Sequence, residues 1–335
     1  MNIVVVSPVL NDWAAFGELI ERLGRLDDAR VHNVRCIAVD DGSSVRPDMS
    51  ALNQRKGYLA EVRVVRLACN LGAIRAIAVG LVAASKLEDI DAAVVMDADG
   101  EDRPEDMARL LACWKERPDR IVVARRVERS EGLVFKCFYE LYKLIFKLLT
   151  GQSIAFGTFS LLPRDALLSL IHNPAIWNNL ASAITRSRIP YTEVRTNRGV
   201  RYSGQSSMNF VALAVHGISS ISVYTDVVLL RITVAMGILA LCIFFGATSI
   251  VVAKFVTSWV IPDWASYVFV SLTIIFLQTL VFAGLALFQF LSFRSMKAFV
   301  PASDVGVFIL DAEFDDSKPL RKERSNVVAG PSSKP

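Results

Sequence analysis

Four short segments of this chain end in the residue types that bind polar ligands. They are Ser7-Pro8-Val9-Leu10-Asn11-Asp12, Asp40-Asp41-Gly42-Ser43-Ser44, Asn70-Leu71-Gly72 and Asp97-Ala98-Asp99-Gly100-Glu101-Asp102. Taken singly, each reads as a turn, because Asp, Asn and Gly are ordinary turn residues. Taken in series the reading changes, since each follows a short apolar run. Asp97-Ala98-Asp99 carries the most chemistry. Two carboxylates one residue apart at a strand end can share a divalent cation, and oxygen ligands suit Mg²⁺ or Mn²⁺, which also bind substrate phosphates. The alternative is a solvated acidic loop, given Glu101, Asp102, Glu105 and Asp106 nearby. Asp97 and Asp99 are assigned to a site, and most of the other acids to the start of a helix.

The elements that must position these residues alternate. Apolar runs at 3–6, 34–39, 62–66, 92–96 and 121–124 read as strands bounded by polar or turn residues. Helical patterns occupy 13–26, 73–85 and 104–114; the last opens on Pro104 followed by Glu105 and Asp106, which suits a helix N-terminus. Such alternation indicates a doubly wound, mostly parallel α/β sheet. Ligands of these sheets lie beyond the carboxyl ends of the strands, where the acidic and small residues fall.

Four segments, in this order, resemble the inverting family 2 glycosyltransferases of GT-A (Rossmann-like) fold: 8–12, 39–43, 70–72 and 96–99. The closer likeness is to the dolichol-phosphate mannose synthase and bacterial polyprenyl-phosphate glycosyltransferase branch, and it covers residues 1–230 well and the late apolar part in outline. Further matches are Ala124-Arg125-Arg126-Val127-Glu128-Arg129, Gly157-Thr158-Phe159-Ser160-Leu161-Leu162-Pro163-Arg164 and the run from Arg201 to Met208. The resemblance implies a nucleotide-sugar donor held by Pro8, Leu10, Asn11, Asp12, Asp40, Asp41, Ser43, Asn70, Gly72, Asp97 and Ala98. It implies a divalent metal, Mg²⁺ or Mn²⁺, on Asp97, Asp99 and Glu101, and catalytic roles for Asp99, Arg126, Arg129, Thr158 and Arg201. Two departures stand out: Thr158 where many relatives carry Asp, and Ser207 where many carry Lys.

Hydrophobic residues make up 53% of the 335, and the excess concentrates late in the chain. Residues 232–253 and 265–293 carry no charge, and either run is long enough to cross a hydrocarbon core needing about 20 residues. The connection between them holds Trp259, Pro262 and Trp264, as an interfacial turn would. Arg231 precedes the first run, Arg294 and Lys297 follow the second, and the turn offers Lys254 alone. The positive-inside rule then places the catalytic part and the tail in the cytoplasm of a multi-pass inner-membrane protein. Nothing like a signal peptide opens the chain: Ile3-Val4-Val5-Val6 follows Met1-Asn2 directly, so the N-terminal part is expected to stay where it is made.

The division expected is a GT-A domain over 1–209, a juxtamembrane amphipathic helix over 210–230, two transmembrane helices within 231–294, and a flexible tail over 295–335. Residues 133–149 suggest a second amphipathic helix, lying in the membrane interface or packed on a core. Five arginines between Arg186 and Arg201 form a solvated basic face, or gather lipid headgroups or a phosphate. A net charge of +4 is too small to imply nucleic-acid binding. Five scattered cysteines offer neither a zinc site nor a disulfide framework.

By the resemblance, a sugar is expected to pass with inversion from the donor to a polyprenyl phosphate, with membrane lipids as further partners and homo-oligomer formation left open. A phosphate acceptor is already anionic, which fits a sequence without a convincing catalytic histidine. The rival readings are a glycosyltransferase acting on another lipid or glycan acceptor, a processive polysaccharide synthase and a non-catalytic nucleotide-sugar-binding scaffold. The synthase requires more membrane spans and a Gln-x-x-Arg-Trp motif, and neither is found.

Overall fold

The structure, a computed structural model, describes residues 1–25, 33–52, 59–126, 133–153, 156–202, 210–256 and 264–313. Six strands run in one direction: β1 (Asn2–Val9), β2 (Asn33–Asp40), β3 (Leu59–Leu67), β4 (Ala92–Val95), β5 (Ile121–Arg126) and β7 (Tyr191–Thr196). Two run against them, β6 (Ser160–Pro163) between β4 and β5, and β8 (Ile309–Glu313) outside β3. The order across the sheet is β7-β5-β6-β4-β1-β2-β3-β8. The carboxyl ends of the six strands and the starts of β6 and β8 therefore share one edge.

β1 and β2 are apolar along nearly their whole length because helices cover both faces of the sheet. On one face α1 (Trp13–Gly24) and α4 (Pro104–Glu116) bury Phe16, Leu19, Met107, Leu110 and Leu111. The short α2 (Met49–Leu52) adds Leu52 on that side. On the other, α3 (Ala73–Ser85), α6 (Arg164–Ile171) and α7 (Leu180–Ser187) bury Ile77, Leu81, Leu167, Leu170 and Ile184.

Between β5 and β6 the chain makes one excursion, α5 (Leu133–Thr150), which leaves and returns at the shared edge. Leu141, Leu144, Ile145 and Leu148 stay exposed on it, whereas Phe146 is buried with Val223 and Tyr224. The helix thus divides its apolar residues between an exposed face and a small cluster with α8 and α9. The stretch 210–230 is not one juxtamembrane helix: α8 (Phe210–Ser222) stops and α9 (Thr225–Val256) starts anew. Val223 and Tyr224 form the break because they are drawn into the cluster with Phe146, and the Tyr224 hydroxyl donates to the Ser182 carbonyl at 3.2 Å.

α9 and α10 (Trp264–Ser295) pack against each other as an antiparallel pair. Both are long and apolar enough to cross a membrane, and almost none of their apolar surface is buried within the protein. α9 begins earlier than the uncharged run suggested because Asp226 at its start is held by both guanidinium nitrogens of Arg186, each at 2.9 Å. Arg231 donates to the Leu148 carbonyl at 2.7 Å, tying α9 to α5.

The expectation of a flexible tail from residue 295 needs correction. After α10 the chain returns through α11 (Pro301–Asp304) and a short turn to β8. Pro301 and Val305 are buried against the core, and edge pairing with β3 orders a segment whose own sequence is too short and irregular to announce a strand. Residues 314–335 lie outside the described residues.

Candidate active site

At the shared edge, the loops after β1 and β2 clip together. Asn11 takes a positive φ of 54°, and its backbone N–H donates to Ser43 Oγ at 2.9 Å. Its side-chain oxygen accepts from the Ser44 N–H at 2.8 Å and the Ser44 hydroxyl at 2.9 Å. Pro8 closes the strand beside Val39, Leu10 is exposed at the loop tip, and the Asp12 carbonyl starts α1 by accepting the Phe16 N–H. Asp40 accepts the Ser43 N–H at 2.8 Å and faces Arg66 Nε at 3.4 Å. Asp41 spends both oxygens on the next loop, accepting the N–H groups of Leu71 at 2.7 Å and Gly72 at 2.9 Å. Burial raises its pKa against the pull of those bonds. Asn70 also caps Gly72, at 3.0 Å.

The fourth loop is an acid–arginine lattice. Arg126, at the end of β5, reaches Glu101 at 3.2 Å and Asp102 at 2.8 Å. Arg198 holds the other Glu101 oxygen at 2.6 Å, and Arg201 lies 3.3 Å from Asp99. The segment after β7 drapes over this loop: Gly199 N–H donates to the Glu101 carbonyl at 2.9 Å and Tyr202 N–H to the Asp99 carbonyl at 2.8 Å. Only a glycine allows so close an approach, because a Cβ on residue 199 would sit 2.1 Å from the Gly100 carbonyl oxygen.

Charge in this loop is unevenly neutralised. Burial, then the carboxylates of Asp102 and Asp99, push Asp97 up to about 8. Burial also raises Asp99, and it raises Asp102 despite Arg126. Burial works the same way on Glu101, yet Arg198 and Arg126 outweigh it and hold that carboxyl below its usual range. Acids left short of cations sit beside arginines capable of forked contact with phosphate oxygens.

The structure thus brings together Asp97, Ala98, Asp99, Arg126 and Arg201. Thr158 lies two residues before β6, at the same edge, because Ser160 pairs with Val95 at the end of β4. Arg129 and Ser207 lie outside the described residues. Glu101 lies close enough to Asp97 and Asp99 for its charge to raise both, and here its two oxygens are taken by arginines. Among the described residues, no three acidic, His or Cys side chains are gathered at metal-ligand spacing. The segment 157–164 is mostly core strand, and Arg164 donates to the Leu87 carbonyl at 2.7 Å. The basic cluster divides as well, with Arg186 on Asp226 while Arg198 and Arg201 turn to the acid loop. Sequence reasoning missed Asp102 and Arg198, reading one as a helix-start charge and the other as part of a basic face. The spacing of Asp102 five residues after Asp97 was the available signal, since the loop folds back and its carboxylate accepts the Asp97 N–H at 3.1 Å.

Residues 4–170, about half of the chain, match the sequence pattern described as Glycosyl transferase family 2. The chain belongs to this family. The uncharacterized glycosyltransferase YkcC of Bacillus subtilis (strain 168) is 26% identical over 65% of this chain and 68% of its own length. The undecaprenyl-phosphate 4-deoxy-4-formamido-L-arabinose transferase of Yersinia enterocolitica is 25% identical over 79% of each chain. Among solved structures, the glucosyl-3-phosphoglycerate synthase of Mycobacterium tuberculosis, crystallised with Mn²⁺ and UDP-glucose, aligns with a TM-score of 0.46 and 15% identity, covering 68% of this chain and 79% of that one. This family 2 glycosyltransferase has the mixed α/β GT-A fold, followed by two long apolar helices.

Proposed function

We propose that the enzyme transfers a sugar from a nucleotide-sugar donor to a polyprenyl phosphate at the membrane surface, with inversion at the anomeric carbon. The observation that carries this reading is the place of α5. It leaves and rejoins the sheet at the edge that holds the acid–arginine loop, exposes an apolar face, and is bonded through Arg231 to the first long helix. The catalytic edge is thereby held where a lipid phosphate can meet it. The named activity of the Yersinia relative supports the acceptor class.

In the proposed reaction an acceptor phosphate oxygen forms a bond to the anomeric carbon as the bond from that carbon to the donor diphosphate breaks. The electron pair leaves on the nucleoside diphosphate. Arg126 and Arg201 orient phosphate oxygens, and Thr158 lines the same edge. The clipped loops at Asn11–Ser44 and Asp41–Gly72 form the floor for the nucleoside. The residues present fit a divalent cation: Asp97 and Asp99 are the carboxylates that would hold it, and the burial and carboxylate repulsion that raise Asp97 are what a cation would offset. Such an ion, when bound, offsets charge on the leaving diphosphate. The catalytic domain is assigned to the cytoplasm from the flanking charges.

The test supplies purified protein in detergent with polyprenyl phosphate, Mn²⁺ and a panel of radiolabelled nucleotide sugars. Labelled lipid is expected, and with it chelator-sensitive turnover. Sugar delivered only to water or to a soluble glycan acceptor rejects the lipid-phosphate reading, and binding without turnover favours the scaffold.

A further inference from the structure

The segment that follows the second long helix touches the loops assigned to the donor. Phe299 and Phe308 stack on Trp177, with ring centroids at 4.2 Å and 5.5 Å, and Val305 between them is buried in the core. The Arg75 guanidinium, in the first turn of α3, lies 5.4 Å from the Trp177 ring on the same assembly. From this anchor the Phe308 carbonyl accepts the Ala68 N–H at 2.8 Å, and β8 runs on along Val64–Leu67. The outer side of β3 is thus closed up to the residue where the loop 68–72 begins.

That loop and the end of β3 grip both aspartates of the neighbouring loop. Arg66 faces Asp40, and the Leu71 and Gly72 N–H groups bind Asp41. Gly42, with φ +80°, lies so close that a Cβ there would be 3.0 Å from the Asn70 nitrogen. A displacement of β3's end therefore carries Asp40, Asp41 and Gly42 with it. The Phe308 contact is the last support on that side before the loop, one residue beyond the pairing of Leu67 with Ile309.

We propose that residues 299–308 are a positioning element for the donor loops, and that the Phe308–Trp177 stack sets donor affinity while leaving the chemical step unchanged. This rests on the donor reading above. Through this element the membrane hairpin is joined to the nucleoside end of the site, as α5 joins it to the acceptor end. Phe308 touches neither substrate; it acts through Ala68 and the loop behind it.

The experiment uses the full chain in detergent, with Phe308→Ala, Phe308→Tyr and Trp177→Leu variants, the last leaving the C-terminal segment unaltered. Hydrogen exchange followed by mass spectrometry reads the loop without any ligand. Phe308→Ala and Trp177→Leu are expected to speed exchange of amides in 68–72 at least tenfold, while peptides covering β1 and α4 keep wild-type rates. Phe308→Tyr, which keeps the ring, is expected to restore slow exchange. In steady-state assays the donor KM is expected to rise about tenfold with kcat within twofold of wild type. Unchanged exchange at 68–72, a uniform rise across the sheet, or a loss of kcat at constant KM each overturns the proposal. Because the exchange measurement needs neither donor nor acceptor, it fails or holds independently of the polyprenyl phosphate assay.

Discussion

Replacing Gly199 by alanine tests whether the draped segment is what holds the arginines over the acid loop. The added Cβ would lie 2.1 Å from the Gly100 carbonyl oxygen and 2.9 Å from Arg103 Cγ. Ordinary contact begins at 3.4 Å, so the two backbones have to part by about 1.3 Å. Backbone atoms on both sides leave no flexible side chain to absorb the shift. The bonds from Gly199 to Glu101 and from Tyr202 to Asp99 span the gap, and each is worth about 0.5–1.5 kcal/mol. Losing both costs about 1–3 kcal/mol locally, and only Tyr202 of the segment packs against an apolar core, so the unfolding transition should fall by only a few degrees. Activity suffers more. Arg198 and Arg201 ride on this segment, and a displacement near 1 Å at a catalytic group costs about 10²-fold in rate. Turnover at saturating donor, measured beside a thermal unfolding curve, separates the two effects. Gly199→Ala with wild-type turnover would refute the close-approach argument, and a collapse of the fold would show that the segment carries stability instead.

Arg126→Lys keeps a charge but cannot fork between Glu101 and Asp102; turnover should fall at least tenfold, and stability by about 1–2 kcal/mol because the arginine is part-exposed. Asp41→Asn turns an amide N–H toward a backbone N–H of Leu71 or Gly72, so a loss of about 1–3 kcal/mol in denaturant unfolding is expected, with weaker donor binding. In chelator, the folded chain keeps a proton on Asp97 that the unfolded chain has already released. Stability should therefore fall as pH rises from the ordinary aspartate value of 3.8 toward about 8, and Asp97→Asn should flatten that slope in melts taken across the range. A cysteine at Ser303 should resist a membrane-impermeant reagent until cells are permeabilised, whereas one in the 259–264 turn should label at once; the opposite pattern reverses the topology.

Much of the scaffold was legible for a simple reason. β1, β2 and β4 are buried on both faces, so they appear as mostly apolar runs, and α3 and α4 begin at Ala73 and Pro104 as their sequences suggest. β6 and β7 were hidden for opposite reasons. The first is only four residues long, and the second is an edge strand with exposed charges at Glu193 and Arg195. The acids at 97 and 99 could be placed from their strand, but not the partners that reach them from β5 and from beyond β7. Those contacts depend on sheet order, which no local pattern encodes. Asp102 was misread because an acid next to a helix start normally faces solvent, whereas this one is buried under Arg126.

The position of β8 also sets the order in which the molecule can be completed. It is the outermost strand beside β3, yet it is made after both long helices. During synthesis, then, β3 offers an open row of backbone donors and acceptors while more than two hundred residues, the hairpin included, are still to come. An unpaired strand edge is a template for association with other chains. The strand that closes the sheet therefore follows only once the hairpin has been made. A chain stalled before that step would carry a nearly finished catalytic domain with an exposed seam, marked for aggregation or for the cell's quality control.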